Sequence, residues 1–257
     1  MKTTKEVIRM KGVYERGIAI YDLHTPHEDK VLLRNILRFA RDFKPNVFLL
    51  GGDNLNMDSV DHWLQEKGRN KQLEGKRIFA DYEYYIGKVH NPFLEVLPRK
   101  CRKIWLRGNH EDWVKIAIDK NPNGERFWEI EKNLPLEDWE VYEYNDVAKV
   151  GKLRFTHGHY YNKYHAAKTV DTYARSIVVG HAHTHQCYTK IVPIDNEPHC
   201  CYSLPCACDL NPHYRKSQPS SWVNGFGVFY IYGDGRFNLY PVVALNGHFV
   251  APTGKFY

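Results

Sequence analysis

Apolar residues fall along this chain in two rhythms. Blocks that are apolar throughout, Gly17-Ile18-Ala19-Ile20-Tyr21 and Val47-Phe48-Leu49-Leu50, predict strands buried on both faces. Between them Leu32, Ile36, Phe39, Ala40 and Phe43 recur at the spacing of one helix face. The start of that helix is read at Thr25-Pro26-His27-Glu28, with Thr25 as N-cap, Pro26 in the first helical position and Glu28 closing a capping box. A second helical stripe, Ile78, Tyr82, Tyr85, Ile86, Val89 and Phe93, is expected to bend or break near Pro92. Arg102 to Leu106 reads as a strand, with a helix from Glu111 to Asp119 and another beyond Pro122. After about Trp139 the texture turns strand-rich: Lys152 to Thr156, Ser176 to Val179, and Phe226 to Tyr232 before a Gly233-Asp234-Gly235 turn. No linker, low-complexity tract or fixed-period repeat interrupts it. The pattern predicts one mixed α/β domain over residues 1–257, with a helical insertion at about 54–100.

The loops at the strand ends are polar and specific. Apolar runs lead into Asp22-Leu23-His24, Gly52-Asp53, Gly108-Asn109-His110-Glu111, His157 and Gly180-His181-Ala182-His183. In open α/β sheets ligands bind at strand ends, so such loops should converge. Any one of them is an ordinary cap, turn or polar residue; five, each after a strand, are hard to attribute to turns. Carboxylate, imidazole and amide oxygen are borderline-to-hard donors, suited to Zn, Mn or Fe rather than to thiolate chemistry. Seven such groups exceed the needs of one ion and suit two ions sharing a bridging carboxylate. Two metals roughly 3.5–4 Å apart activate a water and clamp both moving oxygens of a phosphoryl displacement.

In order and type these motifs resemble those of the calcineurin-like metallophosphoesterases: D-x-H, G-D, G-N-H-[DE], H and G-H-x-H, matched here from Asp22 to His183. The resemblance implies a four-layer α/β/β/α sandwich, two mixed sheets flanked by helices. It implies that Asp22, His24 and His183 hold one metal and Asn109, His157 and His181 the other, with Asp53 bridging. His110 would stay off the metals and touch the phosphate, stabilising or protonating the leaving oxygen, so that His110, Asn109 and Asp53 form the catalytic group. The cofactors implied are two divalent ions, Mn first, with Zn, Fe, Ni or Mg as alternatives. Within the family the chain looks most like small tailed-phage phosphoesterases related to DNA repair exonucleases, through Gly51-Gly52-Asp53 and the stretch from Cys206 to Pro212 with Trp222 and Gly225-Phe226. Such a protein would work in the host cytoplasm. The phosphoprotein phosphatase branch carries a second Asp that orients the catalytic His; Asn56 stands there in this chain, with Asp58 as the candidate substitute.

The activity so implied is in-line attack of a metal-bound hydroxide on a phosphate ester, by a phosphodiesterase or nuclease acting on nucleic acid. A phosphomonoesterase or small-nucleotide phosphohydrolase is the alternative, and a silent binding module the third reading. Thirty-six Lys and Arg against 30 Asp and Glu give a formal charge of +6, a mild basic tilt compatible with a polyanion. No run approaches the roughly 18 apolar residues of a membrane helix, and the N-terminus lacks a signal's apolar core; the expectation is a cytoplasmic protein with no membrane partner. Five of six cysteines fall between Cys187 and Cys208; they read as buried free thiols ahead of a zinc site with His199. His159 and Tyr160 are added as substrate-binding residues, with Tyr161 and Tyr164 beside them. Lys67, Arg69, Lys71, Lys76 and Arg77, followed by Tyr82, Tyr84 and Tyr85, read as a solvated helix whose tyrosines face the core, ahead of a strand-guiding surface.

Overall fold

The computed structural model describes residues 13–61, 75, 77–192, 197–212 and 219–257. Lys67, Arg69, Lys71 and Lys76 lie outside them. Eleven strands among the described residues make two sheets. In the first, β1 (Val13–Ile20), β2 (Val47–Leu50), β3 (Arg102–Leu106) and β4 (Glu140–Tyr142) run parallel, and β10 (Gly225–Tyr232) pairs antiparallel with β1 and with β11 (Phe237–Val243). In the second, β6 (Leu153–Phe155), β7 (Ile177–Val179) and β9 (Glu197–Ser203) are parallel, with β5 (Ala148–Val150) and β8 (Gln186–Val192) antiparallel at the edges.

The period-two alternation of a strand sorts the core into layers. In β1 and β2, Ala19, Val47 and Leu49 face the second sheet and pack with Phe155, Val178 and Leu204. Their neighbours Ile18, Ile20, Phe48 and Leu50 face the other way, into the helices. Those helices are α1 (Lys30–Phe43), α2 (Ile78–Tyr85) and α3 (Asn91–Val96), with α4 (Asn109–Lys120) beyond β3. Past β7, Ile177 and Val179 meet Ala166 and Val170 of α7 (His165–Tyr173), which covers the far side; short α5 (Glu125–Trp128) and α6 (Ile130–Asn133) complete the helical set. The order is helix, sheet, sheet, helix, as expected.

Two local expectations are corrected. Helix α1 starts at Lys30, and its N-cap is Asp29, whose Oδ1 accepts from the N–H groups of Val31 and Leu32, both at 2.9 Å. Thr25 is not a cap: its backbone bridges to Leu55 and its hydroxyl donates to the Asn54 carbonyl, because the residues after β1 pair with those after β2. Glu28 instead accepts from the Tyr84 hydroxyl. The second correction concerns the helical insertion, which widens into a π turn over Ile86–His90, before Pro92. Proline has no N–H and crowds the carbonyl a turn back, and here Asn91 donates to Ile86, five residues behind it. Tyr82 and Tyr85 are core residues, their hydroxyls bonded to the Trp128 carbonyl and the Trp105 indole.

Candidate metal centre

The strand-to-loop transitions after β1, β2, β3, β6 and β7 meet at one place, between the carboxyl ends of the two sheets. Backbone bonds stitch them: Asp22 N–H to Gly52, His24 N–H to Asp53, and Gly180 N–H to His157. The chain turns sharply to present each side chain. Ten described non-glycine residues have positive φ, and five of them are Asp22, His24, Asp53, His181 and His183. Left-handed backbone costs a non-glycine residue energy, so half of this strain sits in the seven expected ligands. Glycine admits the close approaches: a Cβ on Gly108 would lie 2.1 Å from Asp53 Oδ1, and one on Gly180 would lie 2.5 Å from Asp22 Oδ2.

Among the described residues two donor groups combine the expected ligands: Asp22, His24 and His183 form one, and Asp53, His157 and His181 the other, with ligand atoms inside 4.8 Å in each; His183 also lies in a group with Cys206 and Cys208. Asp53 Oδ2 is 3.6 Å from His24 Nε2 and 3.3 Å from His157 Nε2, so it stands between them. Asn109 Oδ1 is 3.2 Å from His157 Nε2. Each group takes side chains from both sheets: Asp22, His24, Asp53 and Asn109 come after strands of the first, His157, His181 and His183 after strands of the second.

The far sides of the imidazoles explain how they are aimed. His157 Nδ1 donates to the Gly51 carbonyl at 3.0 Å. His24 Nδ1 donates to Asn56 Oδ1 at 2.9 Å, and the amide is oriented because its Nδ2 donates to the Asp58 carboxylate at 2.5 Å. With those protons fixed, both Nε2 atoms turn inward, the usual arrangement behind a metal-binding histidine. His183 has the Cys208 thiol behind it, Sγ to Nδ1 3.8 Å, and Trp222 on its ring at 4.2 Å. His181 keeps a buried Nδ1 with no hydrogen-bond partner. An orphaned buried nitrogen beside two carboxylates fits a cation.

Charge agrees with that fit. Burial pushes Asp22 up, but His183 and His157 outweigh it and hold the carboxyl below its usual value. Burial likewise opposes ionisation of Asp53, and His157, His110 and His24 hold it well below. Burial and His110 bring His24 down to about 3; burial and His157 bring His181 to about 4. Both rings are therefore neutral and ready to ligate. Burial works against a charge on His157, yet Asp53 and Asp22 raise it to about 9, so it holds a proton that a cation would displace.

Two residues beyond the ligands matter. Glu111, fully buried, accepts four backbone N–H bonds: Gly108 and Asp53 on Oε2, Asn54 and Leu55 on Oε1, at 2.7 to 3.0 Å. Burial and the Asp53 carboxylate push it up to about 7, against those four donors. His110, at the first turn of α4, donates its backbone N–H to Asp53 Oδ1 at 3.0 Å and its Nδ1 proton to the Asn56 carbonyl at 2.8 Å. Neither Asn56's side chain nor Asp58 orients it; the backbone of Asn56 does. Asp58 binds His27 Nε2 at 3.1 Å instead. His110 Nε2 lies 3.9 Å from Asp53 Oδ2, and His24, Asp53 and His110 also form a potential donor group.

No family model matches the sequence, and no curated protein matches it. Among solved structures the chain is similar to a metallophosphoesterase from Sphaerobacter thermophilus, at TM-score 0.44 and 16% identity over 83% of this chain and 82% of that one. It is similar to a conserved uncharacterized protein, a predicted phosphoesterase, from Streptococcus pneumoniae, at TM-score 0.40 and 11% identity over 95% and 97%. The nuclease MPE of Pseudomonas putida aligns at TM-score 0.36 and 11% identity over 87% of each. Overlap this shallow carries no chemistry across, and the chemistry of the centre rests on the side chains of this protein.

The expected rim residues lie in the segment between His157 and α7. His159 lies against Tyr160, tilted, with ring centroids 4.0 Å apart, and Tyr160 is tied to α7 through Thr172 and covered by Lys168. Of the expected rim tyrosines, Tyr161 is the one set against a candidate ligand, 80% exposed and 6.1 Å from His181. Tyr144, near His157, gave no sequence signal, since an isolated Tyr has no spacing to read. All six cysteines are free thiols, and Cys187 is exposed.

Proposed function

We propose that the protein is a phosphoesterase working with two divalent metal ions, Mn first among those to test, and that its substrate is a phosphodiester of nucleic acid. The single observation that carries this is the pair of donor groups meeting at Asp53, each drawn from both sheets, with inward-facing imidazoles and an orphaned buried nitrogen. When bound, two such ions supply Lewis acidity and charge neutralisation for a phosphoryl displacement. The chain's own residues supply the rest. Asp22, His24 and His183 hold one position; Asn109, His157 and His181 hold the other, and Asp53 joins them. His110 has its Nδ1 proton committed to the Asn56 carbonyl, so it is the doubly protonated ring whose Nε2–H can donate to a phosphate oxygen or pass its proton to the leaving oxygen.

The rim favours a diester of nucleic acid over a small monoester. Tyr161, 80% exposed, stands 6.1 Å from His181, and three residues on Tyr164, 68% exposed, has Lys163 over its ring. Exposed rings next to cations suit bases and phosphates of a single strand. The test compares Mn-loaded protein on bis-p-nitrophenyl phosphate, p-nitrophenyl phosphate and labelled single-stranded DNA. We expect the diester and the strand to be cleaved faster than the monoester. Preference for the monoester would replace the nuclease reading, and no cleavage of any phosphate ester would remove the enzymatic one.

A further inference from the structure

A second concavity lies at the other end of the sandwich. Its volume is about 790 Å³, within the range of small-molecule sites. Residues Lys152 and Ser176, which line it, immediately precede β6 and β7, and Glu197 opens β9, so it sits at the amino ends of the second sheet. His157 lies five residues beyond Lys152, and His181 five beyond Ser176. At about 3.3 Å per residue, the cavity is roughly 15 Å from the metal centre and shares no ligand with it.

Its lining is strongly cationic. Lys149, Lys152, Arg154, Arg175 and Arg236 converge there, and Glu197 is the acid among the described lining residues. Lys152 pairs with Glu197 at 3.3 Å, and Arg236 with Asp234 at 2.7 Å. Arg154 and Arg175 are held differently: each donates to a backbone carbonyl, of Lys152 at 2.8 Å and of Ala174 at 2.6 Å. A carbonyl orients a guanidinium without cancelling its charge. On a solvated face, like charges splay apart; here they are turned into one concavity. Tyr202 and Phe237 form an aromatic wall beside them, edge to face at 6.3 Å.

Guanidinium groups with free donors recognise phosphate oxygens, and an aromatic wall takes a base by stacking. We propose that this cavity is a second phosphoanion site, which binds the phosphates and base of a nucleotide, either free or as part of a polynucleotide. It stands whether or not the metal centre hydrolyses phosphate esters.

The probes are a fluorescent N-methylanthraniloyl ATP and a short labelled single-stranded DNA, titrated into the full chain in EDTA with fluorescence anisotropy as readout. Saturable binding is expected, weakened at least tenfold in Arg154→Ala/Arg175→Ala and unchanged in His181→Ala. Lys149→Glu/Arg175→Glu, which alters two exposed side chains, is the second variant, and a thermal melt checks that each is folded. Either probe displacing the other at the lower concentration supports the site and names its source as strand or free nucleotide. No saturable binding below about 1 mM, equal affinity in the folded variants, or loss with His181→Ala would overturn the proposal.

Discussion

At the scale of single residues, the centre is a matter of where protons are tied. The imidazole protons of His24, His157 and His110 are each committed to an oxygen outside the ligand cluster, two of them to backbone carbonyls. A carbonyl cannot be lost by side-chain substitution, so the orientation of His110 survives Asn56→Ala, while His24 would lose its acceptor. Asp53 and His110 divide more sharply. Asp53→Ala should leave two half-centres and abolish stoichiometric metal binding. His110→Ala should keep the metal content and lose turnover by about 10²–10⁴-fold, the span of general acid–base catalysis. Metal analysis of both purified variants, alongside rates, tests this; a metal-free His110→Ala would place His110 among the ligands.

At the scale of elements, Glu111 is the splint between β2's loop and the start of α4. In the third position of the helix it reaches back to Gly108, half of a capping box, and its other bonds clamp the loop that carries Asp53. Glu111→Gln replaces one acceptor oxygen by an amino group facing N–H donors. It should cost about 2–4 kcal/mol, read as a lower urea midpoint, since two buried N–H donors are left without an acceptor at about 1–3 kcal/mol each. The sequence displays Glu111 as the last letter of G-N-H-E but not the four bonds, because three of its donors lie over fifty residues away. What was legible was periodic: the α1 stripe is buried from Leu32 to Phe43, and each strand-to-loop transition carrying a ligand is where its apolar run ends. What was not legible depended on partners. Thr25 has the chemistry of a cap, but pairing with Leu55 takes it; Pro92 disturbs the helix through a turn that precedes it. Tyr160 and Tyr161 are adjacent and chemically alike, and only the packing of α7 decides which one faces the centre.

At the scale of the molecule, each donor group joins the two sheets, so a bound ion would act as a cross-link between them. Chelation should therefore lower the melting temperature by roughly 5–10 °C relative to protein with metal at about a hundredfold above Kd, where linkage is worth about 2.7 kcal/mol. Equal melting curves with and without EDTA would contradict a shared role. A second long-range contact is independent of metal. Residues 255–257 lie on α1, with Tyr257 against Phe39 at 5.4 Å and Asp42 accepting from Lys255 and from the Tyr257 hydroxyl at 2.5 and 2.8 Å. Those bonds hold the Asp42 carboxyl below its ordinary 3.8. A depressed carboxyl stabilises the folded state above its unfolded value and loses that contribution as the pH falls through its folded one. Tyr257 ring signals in NMR should broaden or shift towards free values below about pH 4, and an Asp42→Asn variant should lose this dependence.

The position of β1 has a consequence for synthesis. Its partners are β2, formed from residues 47–50, and β10, formed from residues 225–232. A nascent chain emerging from the ribosome therefore exposes one whole edge of β1 until β10 has been made, long after the last candidate ligand, His183, has appeared. Asp22 and His24 hang from the end of that unfinished strand. Products terminated before β10 would contain every candidate ligand and still lack the strand that braces β1, so metal binding by a chain cut short before residue 225 should fall below that of the full chain.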